Sequence, residues 1–176
     1  MRELFTIDKK DYKEGGTVGR RPSVRGIIIN GDRLLMMHSL KYDYYKLPGG
    51  GMEPGETLEQ TLMREVREES GRIVIPESVR EFGMVKRIEK GMFEDIFIQE
   101  NYYFLCEEAE ALTECDQDDY ERDERFTPEY VTIREALIAN RTHSHGIKDR
   151  ASSFAGMLER IDRVLELIAD EQGLPK

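Results

Sequence analysis

The chain lacks any hydrophobic run long enough to cross a membrane, although 39% of its 176 residues are apolar. Its first residues, MRELFTIDKKDYKEGG, contain no apolar core of a signal peptide. Cysteine is scarce: Cys106 and Cys115 are the two present, and they do not have the spacing of metal ligands. We therefore expect a cytoplasmic protein without a membrane partner, whose cysteines form a reduced, incidental pair rather than a functional one.

The chain lacks an excess of positive charge, because 36 acidic residues against 26 lysines and arginines give a formal net charge of −10. Residues 107–124 hold ten acidic residues and one basic residue, Arg122, so this segment supplies −9 of that charge. A nucleic-acid polymer needs a basic surface, so the composition argues against one as a partner. The remainder of the chain is near neutral, so its charge does not argue against a small anionic substrate.

The sequence shows no internal repeat and no linker, which predicts one domain over residues 1–176. Residues 1–20 are expected to be a loose N-terminal segment with one short strand at 4–7. The apolar spacing in 151–170 predicts a C-terminal packing helix. Strands are predicted at 24–29, 33–38, 73–75, 82–88 and 95–106, the acidic segment is predicted to be a loop, and Thr127-Pro128-Glu129 is interpreted as a helix start before a helix at 133–139.

One helix is predicted with unusual precision, from about Leu58 to Ser70. Thr57 followed three residues later by Gln60 has the spacing of a capping box. Gly71 suits the left-handed residue that commonly ends a helix.

The acidic residues of this helix do not follow the pattern of a solvated face. At about 100° per residue, Leu58, Leu62 and Val66 fall within an arc of about 80° that marks the buried stripe. Glu65 and Glu69 fall on or beside that stripe, and Glu68 flanks them. Carboxylates on an inward face are costly unless they are paired or bind a metal, and clustered carboxylates favour Mg²⁺, with Mn²⁺ as the alternative. A salt-bridged cluster with Arg64 and Arg67 is the competing interpretation.

A glycine-rich loop precedes the acidic helix. Gly49, Gly50 and Gly51 follow Pro48, and such a loop can bring bare backbone close to a metal or a phosphate.

Together these residues resemble the Nudix hydrolase (MutT-like) family, whose box is G-x5-E-x7-R-E-U-x-E-E-x-G-U, where U is aliphatic. Residues 50–72 fill every invariant position, from Gly50 and Glu56 to Arg64-Glu65, Glu68-Glu69 and Gly71. The one departure is the last aliphatic position, which is Arg72. The resemblance covers residues 20–140.

The resemblance implies an α+β fold, an α/β/α sandwich with a mixed central sheet. It also implies that Glu65, Glu68 and Glu69 hold Mg²⁺, that the Gly49 carbonyl is a further ligand, and that Arg64 orients the carboxylates by pairing with Glu56. The implied reaction is hydrolysis of a nucleoside diphosphate linked to another group, such as a nucleoside triphosphate, a nucleotide sugar or ADP-ribose.

Several assignments stay open at this point. The general base is a glutamate of the box or one of four later glutamates, Glu114, Glu121, Glu124 and Glu129. Arg25, Tyr45, Lys46 and Gly50 are candidate substrate contacts just ahead of or within the box, and ordinary strand packing is the alternative for the tyrosine.

The segment around His143 and His145 is interpreted as a loop rather than a metal pair, with Arg141 and Lys148 as candidate phosphate contacts. A non-catalytic Nudix module that senses a nucleotide is the alternative function, and the isomerase branch of the family is a third. The family resemblance also leaves a homodimer open.

Overall fold

The computed structural model describes residues 1–142, 145 and 151–176, with the side chains of the last range described from residue 154 onward. Ten strands and four α-helices occur in these ranges, besides a short 3-10 helix at Pro76–Ser78. In chain order they are β1 Glu3–Asp8, β2 Val18–Ile27, β3 Ile29–Asn30, β4 Arg33–Ser39, β5 Tyr44–Lys46, α1 Leu58–Ser70, β6 Arg72–Val74, β7 Arg80–Glu89, β8 Ile96–Leu105, β9 Glu108–Leu112, α2 Asp119–Glu124, β10 Phe126–Thr132, α3 Ile133–Thr142 and α4 Ala151–Gln172.

The strands form a mixed sheet arrangement. The largest sheet has the order β1-β7-β8-β2, in which β1 is parallel to β7, β7 is antiparallel to β8, and β8 is parallel to β2. A second sheet has the order β10-β4-β3, with β5 paired to β4, and β6 pairs with β9 in a third. The short strand expected at 4–7 is present as β1, and residues 18–20, expected to be loose, already belong to β2.

Helices cover both faces of β2. On one face Leu62 and Val66 of α1 pack with Val24 and Phe104 in a fully apolar cluster. On the other face Val164 and Leu165 of α4 pack with neighbouring strands in the larger core cluster. Because side chains alternate along a strand, Gly26 faces α1 and Arg25 faces the opposite side. The α+β architecture with a mixed sheet between helices is therefore confirmed.

The helix that carries the acidic residues begins and ends where the sequence predicts. The Thr57 side chain accepts from the Gln60 backbone N–H and the Gln60 side chain accepts from Thr57, which completes the capping box. Gly71 adopts the left-handed conformation with φ 67° and its N–H donates to the Arg67 carbonyl. Local sequence alone thus fixes α1.

Two predicted elements are wrong. The acidic segment is not one loop, because residues 108–112 form β9 and residues 119–124 form α2. Thr127-Pro128-Glu129 does not start a helix but lies inside β10, where it pairs with β4. The helix after it starts at Ile133, preceded by a reciprocal pair of hydrogen bonds between Thr132 and Glu135. Tertiary pairing with β4 has overridden the local signal.

Within the part of the chain that the structure describes, no helix is both long enough and apolar enough to span a membrane. Both cysteines are free thiols, as expected, with Cys106 buried and Cys115 exposed. A cytoplasmic location stays a prediction.

Candidate active site

Arg64 is the centre of the site, and its guanidinium bonds to three carboxylates. Nε and Nη2 bind the two oxygens of Glu56 at 2.6 and 2.8 Å, while Nη1 donates to Glu65 at 2.8 Å and to Glu68 at 3.1 Å. Nη2 also donates to the Gly51 carbonyl at 3.1 Å. These hydrogen bonds hold the helix against the preceding loop, because only a planar guanidinium offers several donors in this arrangement.

The pairing with Arg64 favours the ionised form of Glu56. The Arg64 guanidinium lowers the pKa of Glu56 to about 2, helped by the backbone N–H of Glu53 and the Thr61 hydroxyl. Burial raises the pKa of Glu65, and the neighbouring Arg64 opposes that rise. The site thus holds one carboxylate firmly ionised beside a second that is partly removed from water.

The glycine loop approaches these carboxylates closely. A Cβ at Gly50 would lie 2.2 Å from a carboxylate oxygen of Glu65, so a larger residue could not occupy that position without displacing the glutamate. Gly49 has φ 134°, and a Cβ there would lie 2.1 Å from the Val24 carbonyl. The carbonyls of Pro48 and Gly50 accept from β2, whereas no described residue donates to the Gly49 carbonyl.

Glu69 is the most buried acidic residue in the described part of the chain, with only 2% of its surface exposed. Its carboxylate accepts from Lys46 Nζ at 2.9 Å and from the Gly49 N–H at 3.0 Å. Burial raises the pKa of Glu69 to about 8, although the charge of Lys46 opposes the rise. The inward position that the helical wheel predicts for Glu69 is therefore observed, with an ammonium group as its neighbour.

Lys46 also joins a later glutamate to the box helix. Its Nζ lies 3.1 Å from Glu121 of α2 and over the ring of Phe126 at 4.4 Å. Burial by itself lowers the pKa of Lys46, but the charge of Glu69 outweighs it and the net shift is upward. Glu121 is thus the later glutamate that the fold brings to the buried end of α1.

The other three later glutamates lie elsewhere or make other contacts. Glu124 accepts from the hydroxyls of Ser39 and Tyr44, Glu129 accepts from Tyr45 and contacts His38, and Glu114 lies exposed on the acidic segment.

Tyr45 and Lys46 are neighbours in β5 and point to opposite faces. Tyr45 stacks on His38 with ring centroids 4.2 Å apart, so the structure does not bring it to Arg64 and the acidic residues of α1. As a substrate contact it stays a prediction. Arg141, another predicted phosphate contact, pairs with Asp162 at 2.8 Å and Glu166 at 2.7 Å.

His145 contacts backbone carbonyls of Tyr42 and Asn140, whereas His143 and Lys148 lie outside the described residues.

The carboxylates suit a hard divalent cation, but they do not form a closed ligand group. Among the described residues, no three histidine, cysteine, aspartate or glutamate side chains lie close enough together to hold a metal ion. The reason is visible in the contacts: Glu65 and Glu68 turn to Arg64, while Glu69 turns to Lys46. The structure therefore shows the salt-bridged cluster, in which Arg64 rather than Arg67 is the main partner, while metal binding by these carboxylates stays a prediction.

Sequence reasoning missed Arg160, which lines a cavity next to Lys46. A signal was present, because Arg160 lies three residues after Met157 and four before Val164, on the apolar stripe of its helix. A charged residue on the apolar stripe of a helix is also the signal that identified Glu65 and Glu69.

The sequence and the fold of this chain were both found to be similar to those of known proteins. The sequence model of the NUDIX domain matches residues 19–149. The fold resembles that of a MutT protein from Bacillus halodurans, with a TM-score of 0.53 and 22% identity over 68% of this chain and 72% of that one. It also resembles a NUDIX hydrolase from Nitrosomonas europaea, with a TM-score of 0.54 and 16% identity over 81% and 90% of the two chains.

The chain belongs to the Nudix family, and it is a MutT-like Nudix hydrolase, an enzyme that acts on phosphorus-containing acid anhydrides. Among curated relatives it is 32% identical to a protein named nucleoside triphosphatase NudI from Salmonella schwarzengrund, over 59% of this chain and 75% of that one. It is 44% identical to a NudI from Enterobacter sp. over a shorter stretch, 31% of this chain and 42% of that protein.

Proposed function

We propose that the protein is a Mg²⁺-dependent pyrophosphohydrolase of small nucleotides, with nucleoside triphosphates as the first substrates to test. The observation that carries this proposal is the intact box geometry, in which Arg64 holds Glu56, Glu65 and Glu68 against the glycine loop. The relatives named nucleoside triphosphatase support the choice of substrate.

In this proposal Glu65, Glu68 and Glu69 hold the cation, with the Gly49 carbonyl as a further ligand and Mn²⁺ as the alternative ion. A bound cation would neutralise the diphosphate and lower the pKa of the attacking water. The chain itself supplies the rest. Arg64 holds the carboxylates in place, and the Gly50 position, which has no room for a side chain, keeps the backbone against Glu65.

We propose Glu121 as the general base among the later glutamates, because Lys46 connects it to Glu69. Glu121 accepts from Lys46 Nζ at 3.1 Å, and this ammonium favours the ionised carboxylate that can accept a proton from water. An exchange of Glu121 for glutamine should lower kcat, whereas Glu114→Gln, in the exposed part of the acidic segment, should leave it unchanged.

The test is a nucleotide screen with Mg²⁺, Mn²⁺ or a chelator, in which phosphate, pyrophosphate and nucleoside monophosphate are detected separately. We expect hydrolysis that requires the cation and a product that identifies the bond cut. Glu69→Gln and Glu68→Gln should each lower kcat at least about 100-fold while circular dichroism stays native. Glu59→Gln is the matched control, since Glu59 lies exposed on the first turn of the same helix.

The alternative, a nucleotide-sensing module, predicts binding without turnover. An intact box argues against it, and saturable nucleotide binding by a protein with no hydrolysis under any cation would favour it over our proposal.

A further inference from the structure

A cavity of about 30 Å³ lies beside Lys46 on the side of β2 that faces α4. Its polar lining comes from Arg25, Lys46, Tyr103 and Arg160, and its apolar lining from Leu47, Met157 and Ile161. A single water needs at least about 10–15 Å³, so the cavity has room for two or three waters or one small oxyanion. Three of its four polar groups carry positive charge.

The guanidinium of Arg160 is buried, with 4% of the residue exposed, and it has no ionic partner among the described residues. Its Nη1 donates to Asn101 Oδ1 and to the Tyr103 hydroxyl at 3.2 Å, and its Nε has no partner. Burial lowers the pKa of Arg160, and the like charges of Arg25 and Arg87 lower it further. A buried arginine next to other cations is costly unless something negative accompanies it.

The neighbouring donors are unsatisfied as well. Arg25 Nη1 and Asn101 Nδ2 are buried without a hydrogen-bond partner. The described residues place no carboxylate within 4 Å of either Arg25 or Arg160, whereas every arginine and lysine of the box region pairs with a glutamate. The available groups are all N–H donors, and only an acceptor would satisfy them.

The cavity adjoins the box. Lys46 lines it and at the same time lies 2.9 Å from Glu69. The charge of Arg25 affects both the box and the cavity. It lowers the pKa values of Glu65 and Glu69 in the box and the pKa of Arg160 in the cavity. Lys46 is thus the residue through which the cavity contacts the carboxylates of the box.

We propose that this cavity is an anion subsite that binds a second phosphate group of the substrate, with Arg25 and Arg160 as the residues that determine specificity. Asn101 is a positioning residue, since it holds Arg160 and in turn accepts from Ser23 at 2.8 Å. The subsite selects substrates with an additional phosphate, such as nucleoside triphosphates, over ADP-ribose or nucleotide sugars, whose remaining group ends in hydroxyls. This specificity rests on the proposed hydrolase function, but the anion subsite itself does not.

The first experiment therefore measures anion binding without turnover. Thermal unfolding of the full chain is followed at increasing inorganic phosphate, without divalent cation and at constant ionic strength set with chloride. We expect phosphate to raise the Tm of the wild type and of Arg163→Gln. Arg163 is the matched control because it lies three residues further along α4, half-exposed, and contacts Glu159 and the Phe5 ring rather than the cavity.

Arg160→Met and Arg25→Gln should weaken phosphate binding at least about tenfold, which is the loss expected for one charge-assisted hydrogen bond. Phosphate stabilising both variants as much as the wild type, or not stabilising the wild type at all, would overturn the subsite. If Arg160→Met does not fold, Arg25→Gln decides alone, because the Arg25 side chain makes no hydrogen bond or ion pair with the described residues that its loss would break.

The second experiment measures selectivity. Arg160→Met should lower kcat/KM for nucleoside triphosphates about 10- to 100-fold and change kcat/KM for ADP-ribose less than about threefold, with partial recovery in Arg160→Lys. Equal losses on both substrates would mean that Arg160 is merely structural and would refute the specificity. If neither substrate is cleaved, the proposed function fails, and the phosphate titration still decides whether the subsite exists.

Discussion

Replacing Arg64 by lysine tests whether the fork geometry, rather than the positive charge, organises the site. Arg64 makes five hydrogen bonds, two of them to the two oxygens of Glu56. A lysine keeps the charge but has one nitrogen, which cannot reach Glu56, Gly51 and the helix glutamates at once.

The expected magnitude follows from these contacts. At least two charge-assisted hydrogen bonds are lost, each worth about 1.5–3 kcal/mol when well protected. The side chains of Arg64 and Glu56 are 20% and 18% exposed, so water compensates part of the loss. We expect the free energy of unfolding to fall by about 1–3 kcal/mol, or the Tm by several degrees for a chain of this length. We also expect kcat to fall at least about tenfold, because Glu65 and Glu68 lose their common support.

Urea unfolding and steady-state kinetics measure these two effects, with Arg67→Lys as the control. Arg67 lies on the same helix, 57% exposed, with one ion pair to Glu68 at 3.6 Å, so its replacement should cost less than about 0.5 kcal/mol. If Arg64→Lys and Arg67→Lys had the same stability and the same kcat, the reasoning would be refuted.

Three further predictions concern the scaffold. Leu62→Ala should lower the free energy of unfolding in urea by about 2–4 kcal/mol, because the side chain is fully buried between α1 and β2; a loss below about 1 kcal/mol would contradict that packing. The pKa of Glu56 is lowered from its ordinary 4.5 to about 2, so the stability from its pair with Arg64 is complete above pH 4.5 and is lost as the pH falls towards 2. Over this pH range the free energy of unfolding of Glu56→Gln should fall less than that of the wild type. The same pH dependence in both proteins would argue against the pair. In a thiol-labelling assay Cys115 should react in the native protein and Cys106 only after unfolding, since burial raises the pKa of Cys106 to about 12; rapid native labelling of both thiols would show that the strand is more open than described.

Much of the site followed from local sequence. The bounds of α1 are set by contacts within four residues of each end, Thr57 with Gln60 and Gly71 with Arg67, so the sequence predicts them without knowledge of the fold. The arc of Leu62, Val66 and Glu69 follows from helical geometry alone, and all three are buried. Arg64 and Glu56 are eight residues apart, and the family pattern implies their pairing.

The failures have a common physical origin in long-range pairing. Thr127-Pro128-Glu129 has the composition of a helix start, but β4 lies beside it and supplies backbone hydrogen bonds from about 90 residues away in the chain. Residues 108–112 have little strand propensity, yet they pair with β6 directly after the box helix. Local sequence contains no information on which strand becomes a neighbour.

The sequence by itself determined the box helix, the order of its charges and the chemistry they suit, because helix geometry and capping act over a few residues. Only the tertiary structure decided what those charges meet: Lys46 and Glu121 at Glu69, and a pocket of unpaired arginine donors formed by β2, β8 and α4. Arg25 and Arg160 lie 135 positions apart in the chain, and no local rule places a buried arginine beside a second, partly buried one. Their juxtaposition exists because both faces of β2 are covered, with the box helix α1 on one side and α4 on the other.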